Sequence, residues 1–236
     1  MKILMINGSP SKPKSTSGYL LDQIEKKISE PTEIVRLNQG GIEDVIDRIP
    51  SDRTPNDRTP NDRIPENSIQ KNSIPKNCDA IIFAFPLYFD AIPSSFLATL
   101  KKLETIVPDA SPGAKVYTVI NNAFYEPINN RYAVSIIINW CRKANITFGG
   151  AMCVGAGIIA EISPPGVGPM KNLGIGIDTF TDAINCCGKI LDEDIYIEPN
   201  YPRAEYVKSC NENWNKAVAK IRGLTMEGLR SKPYSM

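Results

Sequence analysis

The first 28 residues constrain the chain more than any other stretch. Lys2-Ile3-Leu4-Met5-Ile6 is an apolar run of strand length, and Asn7 to Gly18 is a loop rich in Ser, Pro and Lys. Tyr19 to Ile28 then carries apolar residues at 20, 21, 24 and 28, the spacing of one helix face. A strand feeding a helix through such a loop builds an anion site. The helix N-terminus offers unpaired N–H groups and the positive end of its dipole, and Ser and Thr hydroxyls add donors. Ser and Thr also cap helices for structural reasons alone, and Gly-Ser-Pro is ordinary turn chemistry. No Gly-Lys-Ser/Thr closes the loop as in a nucleotide-triphosphate site, and Gly8 and Gly18 are too few for a dinucleotide fingerprint. The expectation is a site for a phosphorylated cofactor.

Histidine is absent from all 236 residues, which removes Ser-His-Asp and Cys-His catalysis and imidazole metal sites. The chemistry is therefore expected to reside in something bound. The cysteines at 78, 141, 153, 186, 187 and 210 include no C-x-x-C pair, so zinc and iron–sulfur sites are not expected. Scattered cysteines with apolar neighbours fit a reducing cytoplasm. A formal net charge of +1 gives no field for nucleic acid or membrane, and no apolar run approaches the roughly 18 residues that span a bilayer. No secretion signal is visible at the N-terminus.

Further along, Thr32 to Leu37 alternates like a strand, and Ile42 to Ile49 fits a short helix. Residues 48–77 then divide into six consecutive pentapeptides, beginning Arg-Ile-Pro-Ser-Asp and ending Ser-Ile-Pro-Lys-Asn. Proline at the third place of five of them blocks helix and interior strand, so the segment reads as a solvated low-complexity insertion. A partner-binding arm is the functional alternative. Order returns at Asp79 to Phe85, a buried strand, followed by the aromatic loop Pro86-Leu87-Tyr88-Phe89-Asp90-Ala91-Ile92-Pro93 and a helix capped by Ser94 and running to Leu103. Val116 to Ile120 predicts a fourth strand, Asn130 to Ala144 a helix, and Thr147 to Val154 a fifth strand in which Gly149-Gly150 marks a close backbone approach. A long Gly- and Pro-rich loop over 155–174 and helices near Ile175–Leu191 and Ala204–Gly223 complete the reading.

Alternation of strand and helix predicts a parallel, doubly wound sheet with its ligand at the carboxyl ends of the strands. The loops at 7–18, 86–93 and 121–126 follow the first, third and fourth strands and so share one sheet edge. The first offers phosphate donors; the others offer aromatic and amide groups for a flat ring. A ring with one phosphate is the chemistry of FMN.

Taken together, Gly8-Ser9-Pro10, Ser15-Thr16-Ser17, Pro86-Leu87-Tyr88-Phe89 and Asn121-Asn122-Ala123-Phe124-Tyr125-Glu126 resemble the flavodoxin-like NAD(P)H-dependent FMN reductase family. The resemblance spans about residues 1–47 and 78–190. It implies a three-layer α/β fold with a five-stranded parallel sheet in order 2-1-3-4-5. The whole chain, 1–236, would be one such domain, with the insertion at 48–77 and a C-terminal helical extension at about 192–236. By the same resemblance Ser9, Ser15, Thr16 and Ser17 would hold the phosphate. Pro86, Leu87, Tyr88 and Phe89 would line the isoalloxazine, and Asn121, Asn122, Ala123, Phe124 and Tyr125 would meet its edge. A homodimer is implied as well. Ser11, Lys12 and Lys14 stand where many relatives carry an arginine, and Ala123 where they often carry glycine.

The function this implies is electron transfer from NADPH or NADH through FMN to a small acceptor such as a flavin or quinone. No side chain need act as acid or base. Two other readings remain at this point. A flavodoxin-type electron carrier would be expected to be strongly acidic, whereas Lys and Arg number 27 against 26 Asp and Glu. A scaffold with a vestigial flavin site would recruit partners through the repeats.

Overall fold

The computed structural model describes residues 1–11, 14–36 and 78–214, with 216, 221, 223–225, 227 and 228 beyond them. The pentapeptides, the short helix expected over 42–49 and the end of the last helix lie outside the described residues. The strands are β1 (Ile3–Asn7), β2 (Thr32–Arg36), β3 (Ala80–Pro86), β4 (Lys115–Asn121), β5 (Thr147–Val154) and β6 (Ile195–Ile197). The helices are α1 (Thr16–Glu25), α2 (Ser94–Ala110), α3 (Arg131–Lys143), α4 (Lys171–Asn185) and α5 (Arg203–Asn213).

The strands form one parallel sheet in the order β2-β1-β3-β4-β5-β6. The five-stranded expectation is corrected to six. β6 is three residues long and pairs with Met152–Val154 at the sheet edge. So short a run, followed at once by Glu198-Pro199-Asn200, carries no periodicity to distinguish it from loop.

Strands covered on both faces must be apolar throughout, and β1 and Ala80–Phe85 are buried at every position. Their residues alternate between two cores. Leu4, Ile6, Ile81, Phe83 and Phe85 pack under α2 and α3, while Ile3, Met5, Ala80, Ile82 and Ala84 pack under α1 and α4. The first face takes the bulk of the aromatic volume. Phe83 meets Phe96 and Trp140 edge-on at 5.5 and 5.4 Å, and the Trp140 indole donates to the Leu100 carbonyl at 2.7 Å.

Gly149-Gly150 does mark a close approach. A Cβ on Gly149 would sit 2.5 Å from the Tyr117 ring, and Gly150 has φ +135 with Leu191 against it. The sheet register shifts opposite this pair, between Val116 and Tyr117.

Helix boundaries move where local signals mislead. Ser94 is the first helical residue after Pro93 and makes no side-chain cap, and α2 runs through Pro108 to Ala110. The fourth helix spans 171–185, not 175–191, because Cys187 and Gly188 take positive φ and end it.

α1 packs on one face of the sheet and α2 on the other, although β1 and β3 are neighbours. The loops leaving these two strands therefore diverge. A crevice at the carboxyl ends, the topological switch point, is the consequence.

Candidate functional site

A cavity of about 320 Å³ lies in this crevice, lined by Ser9, Ser11, Lys14, Ser15, Thr16, Ser17, Pro86, Tyr88, Asn121 and Glu161. It joins the three loops that the sequence placed on one sheet edge. Its size is that of a small-ligand pocket.

Gly8 makes the first turn possible: its amide donates to the Ala84 carbonyl at 2.8 Å, and a Cβ there would stand 2.5 Å from the buried Phe96 ring. Asn7 then organises the loop, accepting from the Ser9 amide at 3.0 Å and donating to Ser15 Oγ at 3.3 Å. Ser15 is the N-cap of α1, its Oγ taking the Gly18 amide at 3.1 Å.

The hydroxyl protons divide into two groups. Thr16 donates to the Gly157 carbonyl at 3.3 Å and Ser17 to Asn121 Oδ1 at 2.7 Å, so both are committed within the protein. Ser9 accepts the Ser11 amide, and Ser15 accepts two donors. Among the described residues these two hydroxyls act as acceptors, which leaves each a proton to give. Helix geometry adds the Thr16 and Ser17 amides, which have no intrahelical partner. With the Lys14 ammonium, this donor set suits a phosphate.

The aromatic loop divides as well. Pro86 and Tyr88 line the cavity, and the Tyr88 hydroxyl lies 3.2 Å from Ser11 Oγ. Leu87 turns into the core beneath α2, its amide donating to the Asn121 carbonyl at 2.8 Å. Phe89 is fully exposed and lies outside the cavity wall. Phe89 and Asp90 both have positive φ (48 and 60) between the mutual amide–carbonyl bonds of Tyr88 and Ala91. That is the geometry of a two-residue primed hairpin turn, which Asn-Gly fills more easily than Phe-Asp.

Of the third loop, Asn121 lines the cavity. Asn122 is buried with Nδ2 bonded to the Glu126 carbonyl at 3.2 Å, while its Oδ1 has no partner among the described residues. Ala123 and Phe124 are exposed, and Tyr125 points away, its hydroxyl donating to the Tyr201 carbonyl at 2.8 Å. The structure thus brings Ser9, Ser15, Thr16, Ser17, Pro86, Tyr88 and Asn121 to one cavity. It leaves Leu87, Phe89, Asn122, Ala123, Phe124 and Tyr125 off its wall.

Three lining residues were not assigned to the site from the sequence: Ser11 and Lys14, which lie in the first loop, and Glu161. Glu161 stands on the loop after β5, at the same sheet edge, and that position was its only signal. It puts a carboxylate beside the phosphate-type donors. Burial, and then the Glu161 charge, push the Tyr19 hydroxyl above its ordinary pKa.

Among solved structures, the chain is similar to an NAD(P)H:quinone oxidoreductase from Methanothermobacter marburgensis, at 14% identity and a TM-score of 0.48 over 78% of this chain and 96% of that one. It is similar to the Trp repressor binding protein from Bacillus subtilis at 15% identity and a TM-score of 0.45, covering 65% and 83%. A flavodoxin from Streptococcus pneumonia TIGR4 gives 11% identity and 0.40, covering 64% and 81%. Likeness at that level carries no argument about activity. No curated protein matches the sequence. The family model for NADPH-dependent FMN reductases, however, matches residues 1–124, the stretch that carries every cavity-lining residue but Glu161. The chain belongs to the NADPH-dependent FMN reductase family, and with it to the NAD(P)H-dependent oxidoreductases that work through FMN.

Proposed function

We propose that the cavity holds FMN and that the protein passes electrons from NADPH or NADH to a small planar acceptor, a flavin, a quinone or a similar compound. One observation carries this reading: phosphate-type donors and the Pro86–Tyr88 wall line the same cavity. Ser9, Ser15, Lys14 and the Thr16 and Ser17 amides would take the phosphate. Thr16 and Ser17 contribute through their backbone, because their hydroxyls are bound elsewhere. Pro86 and Tyr88 would border the ring, and the exposed Phe89 and Phe124 would cover it from solvent. Asn121 would meet the polar edge of the ring, and Asn122 Oδ1 has no partner among the described residues.

FMN, when bound, supplies the acceptance of hydride and the transfer of electrons onward. The chain's own residues anchor, orient and shield. None needs to move a proton, in keeping with a sequence that lacks histidine. A homodimer in the cytoplasm is part of the proposal. No helix among the described residues is long and apolar enough to cross a membrane.

The test is FMN uptake followed by turnover. Purified protein mixed with FMN and desalted should remain yellow, and NADPH should then be consumed when a quinone or free flavin is added. Replacing Lys14→Gln should weaken FMN about three- to tenfold and leave riboflavin affinity unchanged, since a phosphate contact is what is lost. Bound FMN without NADPH consumption would make the chain an electron carrier. Protein that takes up no FMN would end the reading.

A further inference from the structure

The loop from Asn122 to Glu126 is held from two sides. On the inner side, the Gly157 amide donates to the Asn122 carbonyl at 2.7 Å and the Ala156 amide to the Phe124 carbonyl at 2.5 Å. Gly155 lies so close that a Cβ there would collide with the Tyr125 carbonyl. On the outer side stands the C-terminal segment. The Tyr206 hydroxyl donates to the Ala123 carbonyl at 2.6 Å, and Arg203 Nε pairs with Glu126 Oε1 at 2.5 Å. The Tyr125 hydroxyl reaches back to the Tyr201 carbonyl, and the Tyr125 and Tyr206 rings pack at 5.9 Å.

These contacts have a combined effect on the backbone. The carbonyls of Asn122, Ala123, Phe124 and Glu126 are all engaged by protein donors. The amides of Ala123, Phe124 and Tyr125 have no partner among the described residues. In a planar trans peptide the N–H points opposite the C=O, so the tie from Tyr206 to the Ala123 carbonyl turns the Phe124 amide away from α5. Of the four carbonyl ties, the one to Ala123 comes from the C-terminal segment, through a buried tyrosine. Tyr206 is the single fully buried residue of α5, a helix otherwise mostly polar and, apart from half-buried Cys210, exposed. Burying one side chain of an eleven-residue helix suggests that the helix is kept for what that side chain does.

We propose that α5 is an external brace on the loop that follows the cavity-lining Asn121, with Tyr206 and Arg203 as positioning residues that hold the Phe124 amide ready for the carbonyl-oxygen edge of a bound flavin. This rests on the FMN reading, and it assigns a role to the C-terminal extension. Neither residue touches the cavity. Tyr206 acts on the Ala123–Phe124 peptide and Arg203 on the Glu126 carboxylate.

The test uses the full chain with Tyr206→Phe, which keeps the ring and removes the hydroxyl, and Arg203→Gln. In protein without flavin, exchange of the Ala156 and Gly157 amides, which donate to this loop, should quicken about tenfold in Tyr206→Phe while the β-sheet amides keep their protection. Affinity for FMN and for riboflavin should fall by the same factor, about fivefold, because the brace acts on the ring edge and not on the phosphate. Arg203→Lys, which can still pair with Glu126, should restore most of what Arg203→Gln loses. Unchanged exchange and unchanged flavin affinity in Tyr206→Phe would overturn the proposal. So would a loss of FMN affinity that riboflavin does not share. If the unmodified protein binds no flavin, the FMN reading fails by itself, and the exchange measurement still decides whether α5 braces the loop.

Discussion

The Ser17 hydroxyl donates to Asn121 Oδ1 at 2.7 Å, joining the first turn of α1 to the end of β4 across 104 residues of sequence. Both side chains are buried, 0% and 6% exposed. The bond ties together two walls of the cavity, one from the loop after β1 and one from the end of β4. It also changes the role expected of Ser17, whose hydroxyl proton goes to Asn121 and whose amide remains for an anion.

Ser17→Ala should therefore destabilise the protein by about 1–3 kcal/mol, the cost of leaving a buried acceptor unpaired. Thermal unfolding would show it as a drop of several degrees. FMN affinity should fall with it, since Asn121 lines the cavity. An unchanged Tm would mean that water satisfies Asn121.

Phe89 occupies a conformation that costs it energy. In the left-handed region an ordinary L-residue is disfavoured by roughly 1–2 kcal/mol, and Phe89 recovers none of this by burial. Phe89→Gly should raise stability by about 1 kcal/mol and lower FMN affinity or turnover. Gains in both stability and turnover would show that the exposed ring has no part in the site.

Glu161 and Lys14 place opposite charges on one cavity wall. A carboxylate facing a phosphate site opposes the binding of the dianion. Glu161→Gln should tighten FMN about two- to fivefold, more at low salt than at high, and leave riboflavin unaffected. Titration at two ionic strengths checks both statements. Weaker FMN binding in the variant would instead make Glu161 an acceptor for hydroxyls of the ligand.

Tyr117 lies fully buried in the sheet and donates to the Lys189 carbonyl at 3.0 Å. Burial raises its pKa from 10.0 to about 12. Above pH 10 the unfolded chain loses this proton while the native protein keeps it, so the native state binds more protons and unfolding becomes easier as pH rises. The stabilisation is complete below pH 10 and is lost as pH climbs towards about 12. Tyr19, Tyr125, Tyr196 and Tyr206 are shifted in the same direction, chiefly by burial. Melting curves from pH 9 to pH 12 should show a smaller alkaline loss in Tyr117→Phe than in the unmodified protein. Equal losses would put the sensitivity in the other tyrosines.

The sequence alone determined the parallel sheet, the edge where the cavity lies and most of the residues that line it. Strands buried on both faces must be continuous apolar runs, and Ile3–Ile6 and Ala80–Phe85 are such runs. Parallel order then forces the loops after them to one edge, so Ser9, Ser15, Pro86, Tyr88 and Asn121 could be grouped from local pattern. The close approach at Gly149-Gly150 was legible because a missing Cβ is itself a local signal.

Tertiary structure decided what depends on meetings between distant segments. Which hydroxyl keeps its proton was settled by Gly157 and Asn121, 141 and 104 residues away from Thr16 and Ser17. Leu87 and Phe89 are two positions apart in one loop, yet one is core and the other fully exposed, because Phe89 sits at the tip of a two-residue turn closed by the Tyr88–Ala91 bridge. Glu161 enters the cavity from a loop without a motif, and Tyr206 reaches Ala123 from a helix with almost no apolar face. Periodicity records which face of an element is buried; it holds no record of which other element that face will meet.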